Sequence, residues 1–194
     1  MEHRPSVTVV RLGHRPGRDD RMTTHVGLTA RALGADRFVL IATDTSPLKQ
    51  IDDVTDRFGG PFETATADSI GSFLTSFSGT VIHLTMYGLP IQGVIDEIHQ
   101  TIQPAGDVAV IVGAEKVTFD VYERADWNVA VTNQPHSEVA SLALTLDRLS
   151  DGECLARPFI GGTHRVHPKA TGKQILPVEE ENPQGLTNEP SNGE

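Results

Sequence analysis

Short runs of consecutive apolar residues recur along the first three quarters of the chain and predict buried strands. The clearest run, DVAVIVG at 107–113, is apolar at nearly every position, which is typical of a strand covered on both faces. The other runs of this kind occupy 6–12, 38–42, 80–85 and 127–131. Loops containing Gly, Pro or Asn follow most of the runs and mark where the strands are expected to end.

The segments between these runs repeat apolar residues at a helical period. In 91–102, one helix face collects Ile91, Val94, Ile95, Ile98 and Ile102. Helices are likewise predicted from Thr23 or Thr24 to about Gly34, and at 48–58, 69–77, 119–124 and 137–149. This alternation of strand and helix predicts an α/β fold, a parallel sheet flanked by helices on both faces.

The alternation weakens beyond Gly152, so one domain is expected over 1–152. The following segment, 153–178, is predicted to be a small irregular or β appendage. The last residues, 179–194, read EEENPQGLTNEPSNGE and are acidic and rich in Pro, Asn and Gly. That composition is typical of a disordered tail.

The 194-residue chain is acidic, with 16 basic against 26 acidic side chains and a formal net charge of -10. Such a charge fits either a protein that avoids nucleic acid or one kept soluble at high salt by surface acid. The second explanation is favoured because the basic set comprises twelve arginines and only four lysines, as if guanidinium groups had been kept where they are needed. Five of these arginines lie within 11–36.

Several classes of protein are disfavoured. The single cysteine, Cys154, allows no intrachain disulfide, and no apolar run approaches the ~20 residues that span a bilayer. The first residues lack the apolar core of a signal peptide, so a cytoplasmic protein is expected. His164 and His167 lack the partners that a zinc site needs, and no metal is predicted.

Candidate chemistry is expected beyond the carboxyl ends of the strands, where open parallel sheets bind ligands. The loops at these positions are LGHRPGRDDR, MYGLP, GAEKV and TNQPHSE. None matches the G-x-G-x-x-G or P-loop pattern, so standard dinucleotide and P-loop sites are not predicted. The GAEKV loop can offer backbone N–H and C=O groups to an adenine or a sugar.

Five blocks carry a more specific signal: RLGHRPGRDDRMTTHVGLTARALGAD at 11–36, GGPF at 59–62, HLTMYG at 83–88, IVGAEKV at 111–117 and NQPHSEVA at 133–140. In this order and spacing they resemble the archaeal tRNA ribose 2'-O-methyltransferases of the SPOUT superfamily, over residues 7 to 150. The resemblance implies methylation of cytidine 56 in the T-loop of tRNA, with S-adenosylmethionine as methyl donor. It also implies a homodimer in which each subunit completes the site of the other.

The same resemblance implies a deep trefoil knot in the C-terminal part of the sheet, which general topology rules would not predict. Backbone groups of the knot are implied to hold the cofactor, at Leu84, Gly113, Ala114, Glu115, Lys116, Val117, Val131, Thr132, Asn133, Gln134, Pro135, His136, Ser137 and Glu138. Thr132 stands where the family pattern has Gly. Because a β-branched residue is costly at positive φ, an ordinary backbone is expected there.

An arginine of the first block is implied to assist the methyl transfer, and the candidates are Arg21 and Arg31. The pKa of arginine exceeds ~12, so stabilisation of the developing alkoxide is favoured over a general-base role. Arg31 is equally well explained as a structural residue that pairs with an acid such as Asp36. The residues predicted to contact tRNA phosphates are Arg11, His14, Arg15 and Arg18.

Three alternatives stay open at this stage. A SPOUT enzyme can act on another RNA nucleotide, since the knot binds the cofactor without choosing the substrate. A non-catalytic RNA-binding module can keep the same fold. An unrelated α/β phosphate-ester hydrolase is the weakest alternative, because it needs acidic metal ligands at the strand ends and these loops contain few.

Overall fold

Six parallel strands form the central sheet of the protein, in a computed structural model that describes residues 4–102, 106–113 and 117–178. Their order is β3-β2-β1-β5-β4-β6, and all neighbouring pairs are parallel. The strands are β1 (Val7–Leu12), β2 (Arg37–Ile41), β3 (Glu63–Thr66), β4 (Thr80–Pro90), β5 (Val108–Gly113) and β6 (Trp127–Ala130). The helices are α1 (Asp20–Ala32), α2 (Ser46–Phe58), α3 (Ile70–Ser76), α4 (Ile91–Thr101), α5 (Phe119–Arg124) and α6 (Glu138–Leu149). The predicted α/β sheet flanked by helices is confirmed.

Successive side chains of the central strands point to opposite faces of the sheet, and helices cover both faces. On one face Val9 and Val110 belong to a core completed by α1, α2, α4 and α6. On the other face Val10 and Ile111 pack with α3 and α5. Because β1 and β5 are buried on both faces, apolar residues dominate both sequences, although β1 also buries Thr8 and Arg11. Among the described helices none is long and apolar enough to cross a membrane.

Two strands differ from the sequence prediction. The short strand β3, with the sequence ETAT, carries no large apolar side chain and is missed by the apolar pattern; it pairs with β2 along the sheet edge. Strand β4 continues to Pro90, although the sequence predicts a loop at 86–90. After a register shift between Leu84 and Leu89, β4 pairs with β6 again. In both cases the neighbouring backbone supplies the pairing, and no local apolar pattern marks it.

The segment that follows α6 packs against the first half of the chain. It contains a short 3₁₀ helix (Glu153–Ala156) and an antiparallel hairpin of β7 (His164–His167) and β8 (Gln174–Pro177). Arg157 donates to the carbonyl of Gly34 and, at 3.0 Å, to the carboxylate of Asp36. Ile160 exchanges two backbone hydrogen bonds with Gly60. These contacts fix the segment to the turns that follow α1 and α2.

Replacement of Gly88 by Ala is expected to weaken the contact between β4 and β6. A Cβ atom at this position would lie 2.5 Å from the backbone carbonyl of Asn128, so the two segments would have to separate. We expect the free energy of unfolding, measured by chemical denaturation, to fall by about 1–3 kcal/mol.

Gly93→Ala is the matched control for this prediction. Gly93 is an exposed residue of α4, and a Cβ atom added to it would meet no heavy atom within 4 Å. Alanine there is expected to raise the free energy of unfolding by about 0.5–1 kcal/mol, because glycine loses more backbone entropy in a helix. Equal effects of the two substitutions would contradict the close approach at Gly88.

Candidate active site

A cavity of about 630 Å³ lies beside the middle of β4 and at the carboxyl ends of β5 and β6. The segment 131–138, which leads into α6, borders it on one side. Seven residues that the resemblance assigned to the cofactor line this cavity: Leu84, Gly113, Val117, Val131, Pro135, His136 and Glu138. A larger cavity of about 940 Å³ lies near Val7, Val108 and the end of α6. Since the amino ends of β1 and β5 border that cavity, we place the candidate site in the smaller one.

The remaining residues of that set do not line the cavity or are not described. Thr132, Asn133, Gln134 and Ser137 belong to the same segment, whereas Ala114, Glu115 and Lys116 lie outside the described residues. Among the described non-glycine residues Asp151 alone has a positive φ. Thr132 therefore has an ordinary backbone, as expected from its β-branched side chain.

Asn133 ties the 131–138 segment to the end of β4. Its side-chain Nδ2 donates to the carbonyl of Met86 at 2.7 Å and to the carbonyl of Gly88 at 3.0 Å. Nδ1 of His136 lies 2.6 Å from the carbonyl of Gln134, within the same segment. Asn133 thus stabilises the wall of the cavity without lining it.

His83 is a polar residue of the cavity, although its place within a strand predicts a satisfied core residue. Its side chain is completely buried, and its Nδ1 lies 2.8 Å from Oδ1 of Asn128. The Asn128 Nδ2 donates to the carbonyl of Tyr122, so the amide orientation makes His83 Nδ1 the donor. Nε2 is left without a hydrogen-bond partner among the described residues. Burial lowers the pKa of His83, and the neutral ring then offers Nε2 as an acceptor.

The prediction for His83 is therefore right for one ring nitrogen and wrong for the other.

Further lining residues on β4, α5, β6 and α6 received no cofactor role from the sequence: Thr85, Met86, Tyr87, Tyr122, Val129 and Ser141. The sequence indicates only Met86 and Tyr87 of these residues, because they belong to the MYGLP loop predicted after the strand at 80–85. The others come from elements whose approach to the cavity is set by the fold.

Arg11 lies inside the protein, which corrects its prediction as a phosphate contact. Its side chain is 1% exposed; Nη1 lies 3.0 Å from Oε2 of Glu138, and Nε donates to Oγ1 of Thr23 at 3.1 Å. A buried guanidinium requires partners of this kind, because an unpaired charge is costly away from water. Arg11 thereby joins β1 to α1 and to the first residue of α6.

The prediction that His14 contacts RNA is corrected for the same reason. Its side chain is fully buried, and Nδ1 lies 2.9 Å from Oγ1 of Thr23. His14 is thus held beside Arg11 under the loop that follows β1. Neither ring nitrogen is accessible to a phosphate group.

Three other arginines of the first block reach the surface. Arg15 is partly exposed, and its Nε donates to the carboxylate of Asp19 at 2.9 Å, which holds the pKa of Asp19 below its usual value. Arg18 and Arg21 are exposed. Within the described part of the chain, their guanidinium groups form no hydrogen bond or ion pair with another residue. These two cations are accessible to an external anion.

Arg31 is buried in the last turn of α1, at the other end of the helix from Arg21. Its Nη2 donates to the carbonyl of Gly59, and the guanidinium lies 4.7 Å from the centre of the Phe159 ring. It does not pair with Asp36, whose carboxylate binds Arg157 instead. Because both contacts of Arg31 are to the segments that follow α2 and α6, they indicate a structural role, and we leave Arg31 out of the proposed reaction.

The sheet and its helices resemble those of solved methyltransferases. A crystal structure named RNA 2'-O ribose methyltransferase matches with a TM-score of 0.55 and 17% identity, over 79% of this chain and 60% of that one. The SpoU methyltransferase AviRb from Streptomyces viridochromogenes, solved in complex with AdoMet, matches with a TM-score of 0.52 and 14% identity, over 78% of this chain and 58% of that one. At such identities the likeness shows the fold.

Sequence comparison identifies the family. Residues 58–176 match the family described as tRNA ribose 2'-O-methyltransferase, aTrm56. A tRNA (cytidine(56)-2'-O)-methyltransferase from Natronomonas pharaonis is 55% identical over 181 residues, 93% of this chain and 100% of that protein. A protein of the same name from Pyrococcus abyssi is 47% identical over 177 residues, 90% of this chain and 89% of that protein. The chain therefore belongs to the aTrm56 family of tRNA ribose 2'-O-methyltransferases.

Proposed function

We propose that this protein methylates the ribose 2'-oxygen of cytidine 56 in the T-loop of tRNA. The observation that carries the proposal is the identity of 55% and 54% with proteins named for this activity in Natronomonas pharaonis and Haloarcula marismortui, over the full length of both. The placement of the cofactor segments around one cavity supports it. We propose that the enzyme acts in the cytoplasm and that 1–152 form its catalytic domain.

The 630 Å³ cavity suits S-adenosylmethionine, since small-molecule sites have volumes of about 300–1,000 Å³. Apolar side chains of Leu84, Val117 and Val129 line it together with polar groups. One of these, the carboxylate of Glu138, can accept a hydrogen bond from an amino group. S-adenosylmethionine, when bound, supplies an electrophilic methyl group.

Arg21 is the residue proposed to act at the ribose. It lies in the first turn of α1, and its guanidinium is exposed without a partner among the described residues. Negative charge develops on the 2'-oxygen as the methyl group is transferred, and a guanidinium stabilises that charge without giving up a proton. Arg15 and Arg18, on the preceding loop, are proposed to contact tRNA phosphates.

The sheet topology is proposed to include the deep trefoil knot of the superfamily. The end of β4 lies against β6, with Gly88 too close to Asn128 for any side chain. The 131–138 segment is bonded back onto this same stretch through Asn133. Both features are expected of a chain that passes through a loop and is held tightly where it emerges.

A homodimer is proposed in which the two sites share residues. Apolar side chains are exposed on elements that border the cavity or pack against them. Tyr87 and Leu89 at the end of β4 are 76% and 54% exposed, and Leu144 on α6 is 46% exposed. Self-association would remove these surfaces from water. In the proposed dimer, the exposed arginines of one subunit act at the cavity of the other.

Arg21→Ala is expected to lower the rate of methyl transfer by about 100-fold or more, since a group that stabilises developing charge is lost. The dissociation constant for S-adenosylmethionine should stay unchanged. The assay measures label transferred from S-adenosylmethionine to an unmodified tRNA transcript in molar KCl, with the modified nucleotide mapped. Arg37→Ala is the control, because Arg37 is an exposed arginine at the amino end of β2.

The outcomes of this assay separate the alternatives. Label at another nucleotide would assign a different substrate position to the enzyme. Cofactor binding without transfer by the unsubstituted protein would indicate a non-catalytic module. Equal activity of Arg21→Ala and Arg37→Ala would exclude Arg21 from the reaction.

Asn133→Ala is expected to weaken S-adenosylmethionine binding by about tenfold, because two hydrogen bonds of about 0.5–1.5 kcal/mol each no longer hold the cavity wall. Isothermal titration calorimetry measures the effect, with Gln92→Ala as the control. Gln92 carries an exposed amide on α4, away from the cavity lining. Unchanged affinity in Asn133→Ala would show that the 131–138 segment is held in place without these bonds.

A further inference from the structure

Three side chains that the proposed reaction does not use converge beneath the loop following β1. They are His14 in that loop, Asp20 at the start of α1, and Asp44 in the loop after β2. Nε2 of His14 lies 3.2 Å from Oδ1 of Asp20 and 3.6 Å from Oδ2 of Asp44. One ligand atom from each residue lies within 4.8 Å of the others.

The His14 Nε2 atom has no hydrogen-bond partner in the described structure, although it is fully buried. The two carboxylate oxygens are close to it, but neither contact has hydrogen-bond geometry. Bonds of about 2.0–2.2 Å from nitrogen and oxygen to a common cation place neighbouring ligand atoms roughly 3–3.5 Å apart. The separations around Nε2 therefore resemble those of ligands that share a cation.

We propose that His14, Asp20 and Asp44 bind one divalent first-row transition-metal cation, of the class of Zn²⁺ and Mn²⁺. One imidazole with two carboxylates favours this class, since Mg²⁺ and Ca²⁺ prefer oxygen ligands and Cu⁺ prefers sulfur. The three protein ligands leave coordination positions for water or an external anion. No metal was predicted from the sequence because only His164 and His167 suggested one, and these three residues are dispersed along the chain.

The surroundings hold each ligand in a state suited to binding a cation. Oδ1 of Asp20 accepts from the backbone N–H of Gly17 at 3.0 Å. Oδ1 of Asp44 accepts from the backbone N–H of Ser46 at 2.9 Å, and its Oδ2 accepts from the Ser46 hydroxyl at 3.2 Å. Each ligand oxygen accepts one bond and keeps a lone pair.

The second ring nitrogen of His14, Nδ1, has a hydrogen-bond partner. For Nε2 to bind a cation, Nδ1 must carry the ring proton and donate it to Thr23 Oγ1, 2.9 Å away. The same hydroxyl oxygen accepts from Arg11, whose guanidinium pairs with Glu138 at the S-adenosylmethionine cavity. A cation at His14 would thus fix the loop that bears Arg15 and Arg18, and it would connect that loop to the cavity.

The test uses the full chain after treatment with a chelator. Co²⁺ is titrated with detection by visible absorption, and Zn²⁺ is titrated by calorimetry. We expect one equivalent of each cation to bind, and His14→Ala and Asp44→Asn to weaken binding by about tenfold or more. His25→Ala and Asp53→Asn remove an exposed histidine and an exposed acid from α1 and α2, and these controls should bind as the unsubstituted protein does.

A second measurement does not depend on the folding of the variants. In the unsubstituted protein, Zn²⁺ should shift the nitrogen resonance of His14 Nε2 and leave that of His25 unchanged. The proposal is overturned if the unsubstituted protein binds no cation, or if His14→Ala binds as tightly as the two controls. A doubly protonated His14 ring in the presence of excess Zn²⁺ would also overturn it, by showing that an imidazolium bridges the two carboxylates.

Discussion

The ion pair between the buried guanidinium of Arg11 and the carboxylate of Glu138 is the interaction that connects the parts of the site. Arg11 places a buried charge near the carboxyl end of β1, and this charge must be paired; its partner is Glu138, 127 residues further along the chain. Because Glu138 is the first residue of α6, this ion pair connects β1 to the start of α6 and to the end of the 131–138 segment. Its second partner, Thr23, also contacts His14, so the same group orders the loop after β1.

The early cluster of positive charge therefore divides into two sets with different roles. Arg11 and Arg31 are internal and hold elements together, through Glu138 and Gly59 respectively. Arg15, Arg18 and Arg21 reach the surface, where a polyanionic substrate can contact them.

At high salt, the net negative charge of the protein does not prevent its few exposed arginines from binding RNA. Long-range attraction between a basic face and RNA is screened over about 3 Å at 1 M salt, whereas direct hydrogen bonds from a guanidinium to a phosphate persist. The predominance of arginine over lysine in this chain agrees with recognition of RNA through direct hydrogen bonds.

The amino-acid pattern alone is enough to predict the strands β1, β2, β5 and β6, the long helices and the segments that border the cavity. Continuous apolar runs and helical periods are local properties, and multi-residue blocks identify a family without coordinates. Three features emerge only from the folded chain: the continuation of β4 to Pro90, the presence of β3, and the burial of His83 Nε2 without a partner among the described residues. The burial of Arg11 and His14 emerges there too. Exposure of a polar side chain depends on what distant segments place over it, and no pattern within 11–36 encodes the approach of Glu138.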